Sequence, residues 1–171
     1  MKNDSLLPAD KELAELYQRH VDQVYRLCYL YLRNSVDAED AVQSVFLKLI
    51  RSRTVFMDPE HEKAWLIVAA RNHCKDLLKH WWRTRRADMD ALPEPTARTD
   101  GERSGEVLAR LLSLPEKYKT VLYLYYFEGY TAKEIASMLG SRESTILTRL
   151  SRGRERLKID LGRESPWATT R

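Results

Sequence analysis

The apolar residues of this chain recur at three- and four-residue steps almost from end to end, and nowhere do they alternate as a half-buried strand would. Leu13, Leu16, Tyr17, Val21, Val24, Leu27, Cys28, Tyr31 and Leu32 keep that rhythm over 11–33 and predict a first amphipathic helix. Asp37 reads as an N-cap with an acidic first turn behind it, which suits the helix dipole. Ala41, Val42, Val45, Phe46, Leu49 and Ile50 then give a second helix, 37–50, one apolar face. Asp58-Pro59 is a cap followed by proline at the first helical position. The third helix runs from there through Trp65, Leu66, Val68, Ala69, Leu77, Leu78 and Trp81 to the basic run at 83–86.

The rhythm stops between Ala87 and Ser104, where Pro93, Pro95 and Gly101 sit among polar residues, as in a linker. A short helix over 105–113 starts a second helical block. Leu114-Pro115 opens the next helix, carrying Val121, Leu122, Leu124, Tyr125 and Phe127, and Glu128-Gly129-Tyr130 breaks it. Thr131-Ala132-Lys133-Glu134 is a capping box that opens a helix stopping at Gly140. Ser141 can cap a last helix over 142–159, and residues 162–171 read as a frayed tail. The expected fold is all-α. Two small helical domains, 1–86 and 105–161, are joined by a flexible linker, 87–104.

Composition excludes several alternatives. Six Gly and six Pro in 171 residues are too few for a turn-rich β fold. Two cysteines, Cys28 and Cys74, make no disulfide framework. No run of 18 apolar residues and no N-terminal apolar segment is present, so the expectation is a soluble cytoplasmic protein without membrane insertion.

The net charge of +4 is modest, but its placement is informative. Residues 71–86 carry six basic side chains against one acidic, and 142–158 carry six against two. Between them, 87–104 carry five acidic against two basic. Two basic segments flanking an acidic one suggest two contacts with a polyanion, although solvated helix faces give the same pattern.

Within the second block, Ala136, Gly140 and Ile146 have helix-turn-helix spacing: a small residue where helices cross, a glycine at the turn, and an aliphatic residue packing the second helix back. Arg142, Thr145, Thr148, Arg149 and Arg152 would then point outward, and arginine and threonine are side chains that read base edges.

At this point the residues carry a family resemblance. Leu114-Pro115, Val121, Tyr123-Leu124, Phe127-Glu128-Gly129-Tyr130-Thr131 and Glu134-Ile135-Ala136 resemble region 4 of bacterial RNA polymerase sigma factors, above all the short extracytoplasmic-function (ECF) group. Ser144-Thr145-Ile146, Arg149-Leu150-Ser151-Arg152-Gly153-Arg154 and Leu157 continue it. Upstream, Asp37-Ala38-Glu39-Asp40-Ala41-Val42-Gln43, Phe46-Leu47, Trp65-Leu66, Ala69 and Arg71-Asn72 resemble region 2. Three positions depart from the family pattern. Ser144 stands where glycine is usual, and Leu147 stands where Lys or Arg often makes a phosphate contact. Gly153 replaces a common alanine, at a cost of about 1 kcal/mol in helix propensity.

The resemblance implies a subunit that binds core RNA polymerase and directs it to promoters. Helix 37–50 would dock on the clamp coiled coil through Asp37, Glu39, Asp40, Gln43 and Ser44, with Lys48 nearby. Arg71, Asn72, Lys75, Lys79, Trp82 and Arg83 would hold the opened downstream element, because cations bind the backbone and aromatics stack on bases. Trp81 and Trp82 are adjacent, so one of them must be exposed. The loop 52–60, with Phe56 and Met57, would capture a flipped base, while Trp65 falls on the apolar stripe and reads as structural. Lys133, Arg142, Thr145, Thr148, Arg149 and Arg152 would meet the upstream element. The implied partners are promoter DNA, the polymerase clamp and flap, and an anti-sigma protein, which family members commonly have.

No cofactor is implied. His73-Cys74 lacks the second ligand pair of a zinc site, and no nucleophile-base set points to an enzyme. Two other readings compete. One is a stand-alone helix-turn-helix regulator whose N-terminal helices dimerise. The other is a small nuclease using Asp37, Glu39 and Asp40 as metal ligands.

Overall fold

The computed structural model describes residues 8–84 and 109–157. The expected linker, 87–104, and tail, 162–171, lie outside the described residues, as do Arg85 and Arg86. The chain divides into two compact units, Met1–Thr96 and Ala97–Arg171. Among the described residues every regular element is an α-helix, and no helix is long and apolar enough to cross a membrane.

The first unit is built from α1 (Pro8–Leu32), α2 (Ser35–Ser52) and α3 (Pro59–Thr84), each packed on the other two. Its core is Val24, Leu27 and Cys28 of α1, Ala41, Val42, Val45 and Leu49 of α2, and Leu66, Ile67, Ala70 and Cys74 of α3. Glu62 is buried at the start of α3. It accepts from Arg19 at 3.0 Å and lies 2.6 Å from His20 Nε2, tying α3 to α1 by charge-assisted bonds.

The turn between α1 and α2 corrects the sequence reading. Arg33 takes the left-handed conformation at φ 57°, which ends α1. Asn34, not Asp37, is the N-cap: its side chain accepts from the Asp37 N–H at 3.0 Å. Asp37 therefore sits in the first helical turn, where its carboxylate still suits the dipole. At α3 the expected cap is present, with Asp58 accepting from the His61 N–H at 2.7 Å. Two residues assigned to the apolar stripes lie largely outside the core: Ile50 is 48% exposed and Tyr17 42%.

In the second unit, residues 109–113 (α4) precede α5 (Glu116–Tyr126), α6 (Ala132–Leu139) and α7 (Glu143–Leu157). Val121, Leu122, Leu124, Ile135, Ala136, Ile146 and Leu150 form its core. Tyr125 and Phe127 do not join it; both are exposed at the end of α5. The capping box at α6 is complete, with Thr131 and Glu134 each bonding the other's backbone N–H. At the other end Gly140 adopts φ 60°, and the Ser141 N–H reaches the Ala136 carbonyl at 2.9 Å. This is a Schellman closure, and it uses Ser141 to finish α6. The flanking residue of α7 is thus Arg142, whose carbonyl accepts the first helical bonds. Ser141 is not the N-cap that the sequence suggested.

Candidate nucleic-acid and partner interfaces

The periodicity of α2 sorts its surface residues. Its buried row is Ala38, Ala41, Val42, Val45, Phe46 and Leu49. Opposite that row lie Val36, Asp40, Gln43 and Leu47, flanked by Glu39, Ser44 and Ile50. Asp40, Gln43 and Glu39 are exposed, while Asp37 and Ser44 are half-buried. Ser44 donates its hydroxyl to the Asp40 carbonyl at 3.1 Å, so its proton is already engaged. The charge of Glu39 is felt on α1. Burial pushes the Tyr25 phenol above its ordinary value, and the Glu39 charge adds to the shift. The sequence reading passed over the apolar members of this face, Val36 at 64% and Leu47 at 49% exposure. Three large apolar side chains around two polar ones resemble the centre of a protein interface more than a solvated helix face.

On α3, Arg71, Asn72, Lys75, Lys79, Trp82 and Arg83 fall within about a third of the helix circumference, on the side away from Ala70, Cys74 and Leu77. Beyond Cys74 no residue of α3 is fully buried, so its last turns present this face to solvent. Of the adjacent tryptophans, Trp82 is the exposed one at 69%, and Trp81 is half-buried. Arg71 donates to the Asn72 side chain at 3.1 Å. Burial lowers the pKa of His73 and Lys48 lowers it further, against the opposing pull of Asp76.

The same side of α3 continues upward through Trp65 and His61, at four-residue steps. Phe56 packs edge-on against both, with centroids 6.0 Å from Trp65 and 5.5 Å from His61. Trp65 is therefore not a core residue: it is half-buried, and its ring supports the loop ahead of α3. His61 also pins that loop by accepting from the Met57 N–H at 3.3 Å. Val55 and Met57 flank Phe56 and are 86% and 88% exposed. Phe56 is thus held at the head of the basic strip, with two exposed apolar side chains beside it. Val55 and His61 were not singled out in the sequence; Trp65 keeps the structural role expected of it, but as the support of this loop and not as a core residue.

On the helix-turn-helix, Ile146, Leu150, Gly153 and Leu157 bury one side of α7. Arg142, Thr148 and Arg152 are exposed, Thr145 and Arg149 half-buried, and Lys133 is exposed on α6. Thr148 donates its hydroxyl to the Ser144 carbonyl at 2.9 Å, which leaves its oxygen as an acceptor and its methyl for apolar contact. Leu147 is 52% exposed. On one flank Arg154 is held by the Tyr126 hydroxyl at 2.8 Å. On the other, Thr145, Thr148, Arg149 and Arg152 line an open groove of about 300 Å³ whose far wall is Lys117 and Tyr118 of α5. Those two were not among the expected site residues. They are distant in sequence from the recognition helix, and only the packing of α5 on α7 brings them to it.

Among the described residues no group of three or more His, Cys, Asp or Glu side chains is placed to hold a metal ion. Cys28 and Cys74 are both buried and unbridged.

Comparison with known proteins agrees with this architecture. The family profile described as Sigma-70 region 2 matches residues 16–84, and that of Sigma-70 region 4 matches 104–157. ECF RNA polymerase sigma factor SigE of Mycolicibacterium smegmatis is 32% identical over 163 residues, covering 88% of this chain and 62% of that longer protein. RNA polymerase sigma factor SigV of Bacillus subtilis is 30% identical over 146 residues, covering 85% of this chain and 88% of the relative. ECF RNA polymerase sigma factor SigM of Mycobacterium tuberculosis is 31% identical over 149 residues, 86% and 76% of the two chains. The fold is that of the sigma factor RpoE solved with the anti-sigma factor NepR from Bartonella quintana. The TM-score is 0.76 at 20% identity, covering 86% of this chain and 95% of that one. The chain belongs to the ECF group of RNA polymerase sigma factors, transcription initiation factors that direct the polymerase to promoters.

Proposed function

We propose that this chain binds core RNA polymerase through the exposed face of α2 and recognises a two-element promoter, with α3 and its preceding loop on the downstream element and α7 on the upstream one. The observation that supports it best is the order of the two units: a three-helix bundle with a basic, aromatic-headed strip is followed by a capped helix-turn-helix with an arginine and threonine face. On α2 the docking surface is Asp40 and Gln43 with Val36 and Leu47, flanked by Asp37, Glu39 and Ser44. On α3, Arg71, Asn72, Lys75, Lys79 and Arg83 hold the backbone of separated DNA, and Phe56, Val55, Met57 and Trp82 offer surfaces to unstacked bases. On the second unit Arg142, Thr145, Thr148, Arg149 and Arg152 face the major groove, and Lys133 reaches the backbone. Exposed Tyr125 and Phe127 offer the polymerase flap an aromatic surface. The protein does no chemistry itself; bond formation belongs to the polymerase, and the setting is the cytoplasm. An anti-sigma protein is a natural inhibitor for such surfaces, as NepR is bound to RpoE.

The test is co-purification of the full chain with core polymerase. Wild type is expected to co-elute, and Asp40→Arg and Leu47→Asp to lose most of that binding while keeping their circular dichroism. Undiminished binding by both folded variants would remove α2 as the docking face.

A further inference from the structure

The groove between α5 and α7 gathers positive charge from two separate helices. Lys117 stands in the first turn of α5, with its Nζ 5.0 Å from the centroid of the Tyr118 ring. Arg156 of α7 lies 5.1 Å from the same ring. Tyr118 is 4% exposed and lines the groove beside Lys117. Its phenol reports the local field: burial pushes its pKa up, but Lys117, Arg156 and Arg152 outweigh that and hold it below the ordinary value. Among the described residues no ion pair neutralises Lys117, Arg149, Arg152 or Arg156. Like charges brought together without a carboxylate repel, and an anion seated among them reverses the sign.

The position of the groove narrows the choice of anion. Ser144, Thr148 and Arg152 line it and also belong to the outward face of α7. A ligand in the groove is therefore continuous with whatever that face touches. The space, about 300 Å³ and open to solvent, accommodates a phosphate group and the sugars on either side. The donors are cationic and carry no base-reading geometry from the α5 side, since a lysine ammonium is a point charge.

We propose that Lys117, on the α5 wall of the groove and across from Arg149, clamps a backbone phosphate of promoter DNA flanking the upstream element, fixing how α7 sits in the major groove. This rests on the placement of promoter DNA against α7. Lys117 is then a positioning residue: it binds all sequences alike and leaves discrimination to α7.

The test uses the full chain bound to core polymerase and a labelled duplex with the upstream element intact or scrambled, over about 50 to 200 mM salt. Lys117→Ala is expected to weaken both duplexes by the same factor, roughly 3- to 10-fold at the low end, and to flatten the log–log salt slope by about 0.9. Lys117→Arg should retain binding and Lys117→Glu should weaken it further. In a scan of neutral methylphosphonates, a substitution outside the element should weaken wild type and leave Lys117→Ala unaffected. Unchanged affinity and slope in Lys117→Ala, or a loss confined to the intact element, overturns the clamp. Arg152→Ala is measured alongside. If it loses the element while Lys117→Ala loses nothing, the clamp fails and promoter reading by α7 stands. If neither variant weakens binding, the placement of DNA on α7 fails and takes the clamp with it.

Discussion

A Cβ added at Gly153 would meet Leu122 Cδ1 at 3.0 Å, Leu122 Cγ at 3.3 Å and Tyr118 Cβ at 3.4 Å. The glycine that costs helix propensity in the sequence therefore lets α7 approach α5 closely, and the two helices together wall the basic groove. Alanine would regain propensity but press its Cβ on Leu122, so the two effects oppose each other. Gly153→Val has no such balance and is expected to destabilise the second unit by about 1–3 kcal/mol, read by urea unfolding of the full chain. Equal stability would mean that α5 and α7 do not pack this closely. Leu147 is a second departure with a physical consequence. It is exposed on the recognition helix and offers no charge to DNA. Leu147→Arg is expected to tighten holoenzyme binding to the upstream element and to steepen its salt slope by about 0.9, as one added phosphate contact does. An unchanged slope would place position 147 away from the backbone.

The capping box at α6 ties an element boundary to function, because α6 sets the turn from which α7 projects. Thr131→Ala is expected to cost about 1 kcal/mol of unfolding free energy. Glu134 also gives the box a pH dependence. Bonds from the Thr131 backbone N–H and hydroxyl hold its carboxyl below the ordinary range. A carboxylate lowered on folding stabilises above its ordinary pKa, and that contribution disappears as pH falls through the lowered value. Wild type should therefore lose its stability advantage over Glu134→Gln as the solution is acidified below the ordinary carboxylate range. A gap that stays constant with pH would mean that the Glu134 charge plays no part in the cap. This box was legible in the sequence because its whole logic fits within four residues, as was the glycine turn at Gly140. The start of α2 was not, because Asn34 and Asp37 are both good caps three residues apart. The left-handed Arg33 at the end of α1 decides between them. Nor were Trp65, Tyr125 and Phe127 assignable, since spacing alone counts an aromatic ring as core. Lys117 was invisible for a different reason: its role depends on one helix packing against another.

At the scale of the whole chain, the two units are tethered by residues outside the described segments. The family's promoter elements lie about 25 base pairs apart, or roughly 85 Å at 3.4 Å per pair. If each unit covers about 30 Å, the length of a 20-residue helix, about 55 Å remains. The 18 residues of 87–104 span at most roughly 60–65 Å when extended. Deleting six of them is expected to abolish initiation at two-element promoters while both units stay folded. Inserting six Gly/Ser residues should be tolerated, because closure entropy grows only logarithmically with length. Normal initiation by the deletion variant would end the two-site bridging account. The chain is expected to give core polymerase a promoter specificity it does not have alone. The most direct measurement is transcription in vitro from genomic fragments with purified core polymerase, followed by sequencing of RNA 5′ ends. Discrete starts are expected that require both core and chain, share an upstream and a downstream element, and disappear with Arg152→Ala or Asp40→Arg. No chain-dependent starts, together with tight binding of the free chain as a dimer to palindromic duplex, would contradict this expectation and make the protein a stand-alone regulator.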